Sequence, residues 1–176
     1  MNIPENLLEK KKILLGVTGS IAAYKSLELV RLFVKAGADV RVVMSEAAKK
    51  FISPLSFETL SRNKVLDEQS ESWADDHNHI KTGEWADLFV IAPCTANTIA
   101  KLSNAIADNM LLQTALAYSG MKLLAPAANR VIDTQSKELA CQSVGDGAMA
   151  EPLDIFWHSA QELLKEEFWE DRMVIV

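Results

Sequence analysis

Residues 13–44 carry the pattern that most constrains the fold. Residues 13–17 form a short apolar run between a lysine run and Thr18-Gly19-Ser20, which is typical of a buried strand. Residues 21–35 have apolar side chains at helical spacing, and Gly37 supplies a C-terminal stop. Residues 39–44 then read as a second strand. A strand, helix and strand in this order predict a parallel pair with a right-handed crossover.

The same alternation continues along the chain. Further strands are predicted at 87–92 and 121–125, with helices starting near Thr95 and spanning 105–118 and 154–168. A chain of 176 residues suits one domain with a full core. We therefore predict a single α/β domain with a doubly wound, Rossmann-like or flavodoxin-like parallel sheet.

Charge and composition exclude several functional classes. The net charge is −6 and no basic stripe is present, which argues against a nucleic-acid partner. No apolar run approaches the roughly 18 residues of a membrane span, and the polar N-terminus has no signal-peptide core, so we expect a cytoplasmic protein without membrane contact. Two cysteines and three histidines have no disulfide-framework or metal-ligand spacing, and we predict no metal site.

Two turns after predicted strands carry polar groups that suit a cofactor. Gly19 and Ser20 stand before a helix, where backbone N–H groups favour an anion by about 0.3–1 kcal/mol. Thr95, Asn97 and Thr98 repeat the arrangement after the third strand. A tight turn and simple helix capping by Thr95 explain each motif equally well alone. Two polar helix starts at one sheet edge favour a cofactor.

The remaining candidate residues are a histidine and two cysteines. His79 precedes the third strand and is suited to proton transfer, although alone it reads more simply as an exposed loop histidine. Cys94, beside an apolar strand, is interpreted as a small core residue. Residues 138–152 lack any apolar period and are interpreted as a loop, so Cys141 within them is the candidate for chemistry.

Taken together, these stretches resemble the flavin-containing cysteine decarboxylases, and among them the bacterial enzymes that decarboxylate phosphopantothenoylcysteine in coenzyme A biosynthesis. The resemblance runs from about Lys12 to Phe168. It rests on residues 12–25 (KILLGVTGSIAAYK), His79-Ile80, residues 85–101 (WADLFVIAPCTANTIAK), residues 106–111 (IADNML) and the 138–152 loop.

The resemblance implies FMN as cofactor and a role for each matching residue. It implies that the FMN phosphate is held by Gly19, Ser20 and Ile21. It implies that the rest of the flavin is met by Ser45, Pro93, Thr95, Asn97 and Thr98. His79 matches the active-site histidine, as base or as orienting group. Asn129 matches an asparagine that binds the substrate carboxylate, and Cys141 matches a cysteine that donates a proton.

The implied reaction has three stages. The cysteinyl part of the substrate is oxidised to a thioaldehyde, carbon dioxide leaves, and the resulting enethiol is reduced and protonated to give 4′-phosphopantetheine. A peptidyl-cysteine decarboxylase would stop at the enethiol, and a non-catalytic FMN-binding regulatory homologue would lose the histidine or the cysteine. The presence of both His79 and Cys141 favours the complete reaction. A flavin prenyltransferase shares the fold but not the residues around His79 and Cys141.

One stretch departs from the family. The family motif runs Pro-x-Met-Asn-x-x-Met-Trp, whereas here Ala128 replaces the first Met and Asn129 is followed by Arg130. Parallel strands need a crossover of about a dozen residues, which is not available between 121–125 and an apolar run at 130–133. A hairpin, a run outside the sheet or an absent segment would each explain this. We expect about twenty residues to be absent here and to be an unresolved part of the protein. If the chain itself lacks them, Asn129 cannot be held as in the family.

The resemblance also implies how the domain is assembled. Residues 1–168 would form the FMN-binding decarboxylase domain. Residues 169–176 would start a truncated phosphopantothenate–cysteine ligase domain, because the bacterial enzymes are usually fused to one. Family members form trimers, often assembled into dodecamers, so a homotrimer or dodecamer is expected.

Overall fold

The computed structural model describes residues 3–126, 135–138 and 144–165, with the backbone alone for 135–138 and 144–147. Asn129, Cys141, the run at 130–133 and the predicted strand at the end of the chain lie outside the described residues. The chain is continuous from 1 to 176, and Asn129 is bonded to Arg130. The expectation of an unresolved segment between them is therefore wrong.

In the described part of the chain, four parallel strands form the central sheet. They are β1 (Lys12–Val17), β2 (Asp39–Met44), β3 (Leu88–Cys94) and β4 (Lys122–Pro126), in the spatial order β2-β1-β3-β4. Leu15 of β1 lies beside Val42 on one side and Val90 on the other. The predicted parallel α/β sheet is confirmed, with strand ends within two residues of the predicted ones.

Helices cover both faces of this sheet. A 3₁₀ turn at Ile21–Tyr24 runs directly into the first helix. The helices are α1 (Lys25–Lys35), α2 (Pro54–Ser61), α3 (His79–Trp85), α4 (Ala96–Ser103), α5 (Met110–Ala117) and α6 (Pro152–Leu164). None of the described helices is long and apolar enough to cross a membrane.

Alternate residues of β1 enter two separate cores. Leu15 packs into a core with Phe33 of α1 and Phe156 of α6. Leu14, which points to the other face, packs into a core with Leu111 of α5. All of these side chains are buried. Apolar residues on both faces of a strand are typical of a parallel sheet between two helical layers, and the doubly wound prediction is confirmed.

Backbone conformation and capping side chains determine where the helices begin and end, and the spacing of apolar residues predicts these positions only in part. α1 ends at the predicted stop, where Gly37 adopts a positive φ of 90°. The helix predicted at 105–118 begins only at Met110, because Ala105 has a φ of 53° and Asn109 caps the helix. The Asn109 side-chain oxygen accepts a 3.0 Å hydrogen bond from the Leu112 N–H. The prediction is therefore wrong over 105–109.

The stretch after β4 leaves the parallel sheet. β5 (Gln135–Glu138) and β6 (Val144–Ala148) form a separate antiparallel pair. The interpretation of 138–152 as a loop throughout is therefore wrong for β6. This strand contains two glycines, so it lacks the apolar pattern by which a strand is recognised in a sequence. Only residues 127–134 separate β4 from β5, which is too short for a helical crossover to a fifth parallel strand.

Candidate functional site

The carboxyl ends of β1 and β3 are joined by one buried hydroxyl. Thr18 follows β1, is 1% exposed, and donates a 2.7 Å hydrogen bond from Oγ1 to the carbonyl oxygen of Pro93. The same Oγ1 accepts a 3.1 Å hydrogen bond from the Thr95 N–H. Thr18 therefore fixes the turn after β1 against the turn that opens α4.

The turn after β1 also lies against the segment after β2. A Cβ on Gly19 would lie 2.5 Å from the Ala47 Cβ, so only glycine fits this crossing. Ser20 caps the 3₁₀ turn, its Oγ accepting a 3.2 Å hydrogen bond from the Ala22 N–H. Within the described residues, the N–H groups of Gly19, Ser20 and Ile21 have no acceptor. Free N–H groups at the start of a helical segment are suited to an anion.

Ser45 holds the segment after β2 in place. Its N–H donates to the Val17 carbonyl oxygen at 3.1 Å, and its Oγ accepts from the Ala48 N–H at 3.3 Å. A short 3₁₀ turn at Ala48–Lys50 follows. The hydroxyl of Ser45 thus has a structural use at the sheet edge, directly beside the turn that contains Gly19.

An ion pair anchors the same segment to the chain that leads towards α3. Lys49 Nζ lies 2.6 Å from Asp67 Oδ2, and Asp67 is 7% exposed. Burial by itself raises the pKa of Asp67, but the Lys49 ammonium and the N–H groups of Gln69 and Ser70 outweigh it, so the pKa lies below its ordinary value. The carboxylate stays ionised and the link stays closed at neutral pH.

The start of α4 presents capped and uncapped polar groups. Thr95 Oγ1 accepts a 3.3 Å hydrogen bond from the Thr98 N–H and lies 3.0 Å from the Thr98 hydroxyl. Capping of α4 by Thr95 is therefore real. Asn97 is exposed, and its side chain has no hydrogen-bond partner in the described part of the chain. As far as the described residues go, the Asn97 side chain is therefore available to a ligand at this helix start.

His79 is the first residue of α3 rather than a loop histidine. The buried Asn78 caps the helix through hydrogen bonds from the Ile80 and Lys81 N–H groups, at 3.1 and 2.9 Å. His79 Nδ1 lies 2.8 Å from Glu71 Oε1, and the His79 ring meets the Trp73 ring edge to face, with centroids 5.7 Å apart. The simpler interpretation of His79 as an exposed loop residue is therefore wrong.

Cys94 is closed to chemistry. It is fully buried at the end of β3, and burial raises the pKa of its thiol to about 12. A thiol with that pKa is neither a thiolate nor an acid at neutral pH. The interpretation of Cys94 as a core residue is confirmed.

The structure brings together most of the predicted cofactor residues, because the ends of β1, β2 and β3 meet at one sheet edge. Those brought together are Gly19, Ser20, Ile21, Ser45, Pro93, Thr95, Asn97 and Thr98. His79 is connected to β2 through Glu71 and the 65–78 stretch, in which Leu66 bridges to Val43 of β2. The predicted residues Asn129 and Cys141 lie outside the described residues.

Two residues of the site have no signal in the sequence. Thr18 belongs to a turn motif, but nothing local indicates that its hydroxyl contacts Pro93 and Thr95, more than seventy positions away. Glu71 lies in a polar stretch without any period, eight residues before His79. Both act through tertiary contacts, which spacing along one sequence does not reveal.

Comparison with known proteins gives one family. Residues 1–142 match the family model described as Flavoprotein. The coenzyme A biosynthesis bifunctional protein CoaBC of Bacillus subtilis is 39% identical over 171 positions, covering 85% of this chain and 42% of that protein. A probable phosphopantothenoylcysteine decarboxylase of Streptococcus mutans is 39% identical, covering 88% of this chain and 99% of that protein. The chain thus spans less than half the length of the bifunctional relative.

Solved structures show the same fold. A PPC decarboxylase, as a cysteine-to-serine variant complexed with pantothenoylaminoethenethiol, superposes with a TM-score of 0.75 and 29% identity over 93% of this chain and all of that chain. The FMN-binding protein AtHal3 gives a TM-score of 0.71 and 29% identity over 94% of this chain and all of that chain.

The lengths of the alignments show that, within the matched region, this chain has fewer residues than its relatives. The match to the Bacillus subtilis protein runs over 171 positions, whereas 85% of 176 residues is about 150. The match to the Streptococcus mutans protein runs over 178 positions, whereas 88% of this chain is about 155 residues. Within the matched regions, both relatives therefore carry about twenty positions that this chain lacks.

Proposed function

The chain belongs to the flavoprotein family, and we propose that it is an FMN-dependent carboxy-lyase that converts 4′-phospho-N-pantothenoylcysteine to 4′-phosphopantetheine in coenzyme A biosynthesis. One observation carries the proposal. The turns after β1, β2 and β3 are held together at the sheet edge by Thr18, Ser45 and Gly19, while the N–H groups of residues 19–21 and the Asn97 side chain have no partner in the described part of the chain. Ligands of open parallel sheets bind at this edge.

The residues present fit FMN. The free N–H groups of Gly19, Ser20 and Ile21 would hold its phosphate at a helix start, where a dianion is favoured. The remaining flavin would lie against Ser45, Pro93 and the start of α4, including Asn97. The chemistry that FMN supplies when bound is a reversible two-electron exchange, so the overall reaction needs no external oxidant or reductant.

Three residues would serve the substrate. The Asn129 amide would hold the substrate carboxylate, and a nitrogen of the His79 ring would move a proton. Cys141 would donate the proton of its thiol to carbon as the enethiol is reduced in the last step. The solved cysteine-to-serine PPC decarboxylase holds pantothenoylaminoethenethiol, and an enethiol is what accumulates if that protonation fails.

The bifunctional relatives support a further part of the proposal. Residues 169–176 would begin a ligase domain, as expected for a protein built like CoaBC. A homotrimer, or a dodecamer built from trimers, and a cytoplasmic location stay predictions. Native mass spectrometry of the flavin-loaded protein measures the oligomeric state directly.

The test of the proposed function compares wild type with Cys141→Ser. Both proteins, loaded with FMN, receive phosphopantothenoylcysteine, and carbon dioxide and product mass are followed. We expect wild type to form 4′-phosphopantetheine and the variant to release carbon dioxide but accumulate the enethiol, two hydrogens lighter. Cys94→Ser is the matched control, because Cys94 is buried and its thiol stays protonated. Equal yields of 4′-phosphopantetheine from wild type and Cys141→Ser would remove Cys141 from the reaction.

A second candidate function is favoured by the departure from the family motif around Asn129. A chain that binds FMN without decarboxylation would act as a regulatory FMN-binding protein, and one structural relative is described as an FMN-binding protein. The same assay separates the two functions. Bound flavin with no carbon dioxide from wild type supports the regulatory function and contradicts the decarboxylase.

A further inference from the structure

The carboxylate of Glu71 contacts the imidazole ring of His79, and the proposed reaction assigns no role to Glu71. Glu71 Oε1 lies 2.8 Å from His79 Nδ1 and 3.4 Å from the His79 backbone nitrogen. Within the described residues, the other ring nitrogen, Nε2, has no partner. We propose that Glu71 is a positioning residue that fixes the His79 ring with its proton on Nδ1, leaving Nε2 to exchange a proton with the substrate. The substrate part of this inference rests on the proposed function.

The chain before α3 is built to present this carboxylate. Ser72 and His77 pair in both directions through their backbones, at 2.7 and 3.0 Å, and so bring Glu71 beside the start of α3. The His77 ring points back into the stretch, with Nε2 3.4 Å from Ser70 Oγ and 3.3 Å from the Val65 carbonyl oxygen. Among the described residues, His79 is the one of these two histidines whose ring contacts a carboxylate.

The ring of His79 is restricted on a second side. Trp73, two residues after Glu71, meets it at an interplanar angle of 89°. The carboxylate thus fixes one ring nitrogen and the indole limits rotation of the ring plane. Trp73 itself is 66% exposed.

The chemical consequence concerns which nitrogen carries the proton. The hydrogen bond made by one imidazole nitrogen determines the protonation of the other. With Nδ1–H donated to Glu71, neutral His79 has its lone pair on Nε2. A proton taken up there makes an imidazolium beside a carboxylate, and the same proton leaves again from Nε2. Of its two implied roles, His79 would therefore serve proton transfer and not orient the substrate. Glu71 would orient the His79 ring.

A simpler role for the pair is to tie the 65–78 stretch to α3. Both side chains are about one-fifth exposed, at 21% for His79 and 23% for Glu71. Ion pairs with that access to water contribute little to folding. Loss of Glu71 is therefore expected to leave the fold intact, so that its effect on the imidazole is measured separately from stability.

The experiment reads the tautomer of His79 directly. Protein labelled with ¹⁵N-histidine and loaded with FMN is compared as wild type, Glu71→Gln and Glu71→Ala, with the His79 signals assigned by their loss in His79→Gln. We expect wild type to carry its proton on Nδ1. Glu71→Gln keeps an acceptor oxygen and should retain this tautomer, whereas Glu71→Ala should populate the Nε2–H form. Glu84→Ala, which removes an exposed carboxylate paired with Lys81 on the same helix, should change nothing.

Turnover supplies the second readout. We expect Glu71→Ala to lower kcat at least about tenfold with KM within about twofold, and Glu71→Gln to recover part of the loss. A wild-type His79 protonated on Nε2, an unchanged tautomer in Glu71→Ala, or an unchanged kcat in that variant would overturn the proposal. If wild type releases no carbon dioxide, the proposed function fails, and the tautomer measurement alone decides whether Glu71 positions His79.

Discussion

The hydroxyl of Thr18 donates a 2.7 Å hydrogen bond to the carbonyl oxygen of Pro93, across seventy-five positions of the chain. The same oxygen atom of Thr18 accepts from the Thr95 N–H. Because Thr18 is buried, no water replaces these bonds if the hydroxyl is removed. Together with the 3.3 Å hydrogen bond from the Thr18 N–H to the same Pro93 oxygen, this side chain helps to hold the turn after β1 against the start of α4.

Replacing this hydroxyl by a methyl group should therefore destabilise the protein. We expect Thr18→Val to lower the free energy of unfolding by about 1–3 kcal/mol, because the Thr95 N–H loses its acceptor in a buried setting. Thr18→Ser keeps the hydroxyl and should lose less. Urea denaturation followed by circular dichroism measures both. A Thr18→Val protein as stable as wild type would show that the two turns are held by other contacts.

A methyl group at Gly19 should disturb the proposed phosphate site. The new Cβ would lie 2.5 Å from the Ala47 Cβ, so the backbone must move. We expect Gly19→Ala to lose about 1.5–3 kcal/mol of FMN binding, at least about tenfold in Kd, measured by fluorescence titration of the apoprotein.

Two further variants control that result. Gly83→Ala also adds a methyl group, but at an ordinary distance of 3.7 Å from Tyr118 and away from the sheet edge, so it should bind FMN like wild type. Ala47→Gly in the Gly19→Ala background removes the clashing Cβ and should restore part of the affinity. Wild-type affinity in Gly19→Ala alone contradicts the assignment of this turn.

Asn97 should contribute to flavin binding without contributing to folding. Its side chain is exposed and has no hydrogen-bond partner among the described residues, so Asn97→Ala should change the free energy of unfolding by less than about 0.5 kcal/mol. Loss of one hydrogen bond to bound FMN should weaken binding by about 0.5–1.5 kcal/mol, or about 2–12-fold in Kd.

Asn104 at the other end of the same helix serves as control. It bonds the Ala100 carbonyl oxygen at 2.8 Å and lies away from the start of α4. We expect Asn104→Ala to affect stability and leave FMN affinity unchanged. If Asn104→Ala weakened FMN binding and Asn97→Ala did not, the assignment of the flavin to the start of α4 would be wrong.

The free energy of unfolding should fall in acid, because protonation of Asp67 breaks its ion pair with Lys49. Its pKa is lowered from 3.8 in the folded protein, since Lys49 and two N–H groups outweigh the effect of burial. A lowered pKa means that the contribution is complete above pH 3.8 and is lost as the pH falls through the folded value. Asp67→Asn should therefore be less stable than wild type above pH 4 and should approach it below pH 3.8. Parallel stability curves for both proteins across this range would contradict the role of the ion pair.

The sequence predicts the sheet well and its surroundings less well, for physical reasons. Buried parallel strands are continuous apolar runs, so β1 to β4 stand out, and parallel strands bring Gly19, Ser45 and Thr95 to one edge by topology alone. β6 does not stand out, because its residues include two glycines and an aspartate, which are depleted in strands.

The partners of the site residues were beyond prediction from spacing. Thr18 meets Pro93 only because two strands are neighbours, and Glu71 meets His79 only because Ser72 and His77 close a turn between them. Helix starts show the same limit. His79 opens α3 because Asn78 caps it, whereas a polar stretch containing two histidines reads locally as a loop. Contacts between residues far apart in the chain determine these positions, whereas the pattern of a single sequence indicates only local structure.

Because the sequence departs from the family motif around Asn129, the reaction itself is the decisive measurement. Wild-type protein loaded with FMN is given phosphopantothenoylcysteine without any added oxidant or reductant, and carbon dioxide and 4′-phosphopantetheine are measured together. The proposed function predicts equal amounts of both over many turnovers, because the electrons taken from the substrate return to it. Bound flavin with no carbon dioxide released would contradict the assignment as a decarboxylase.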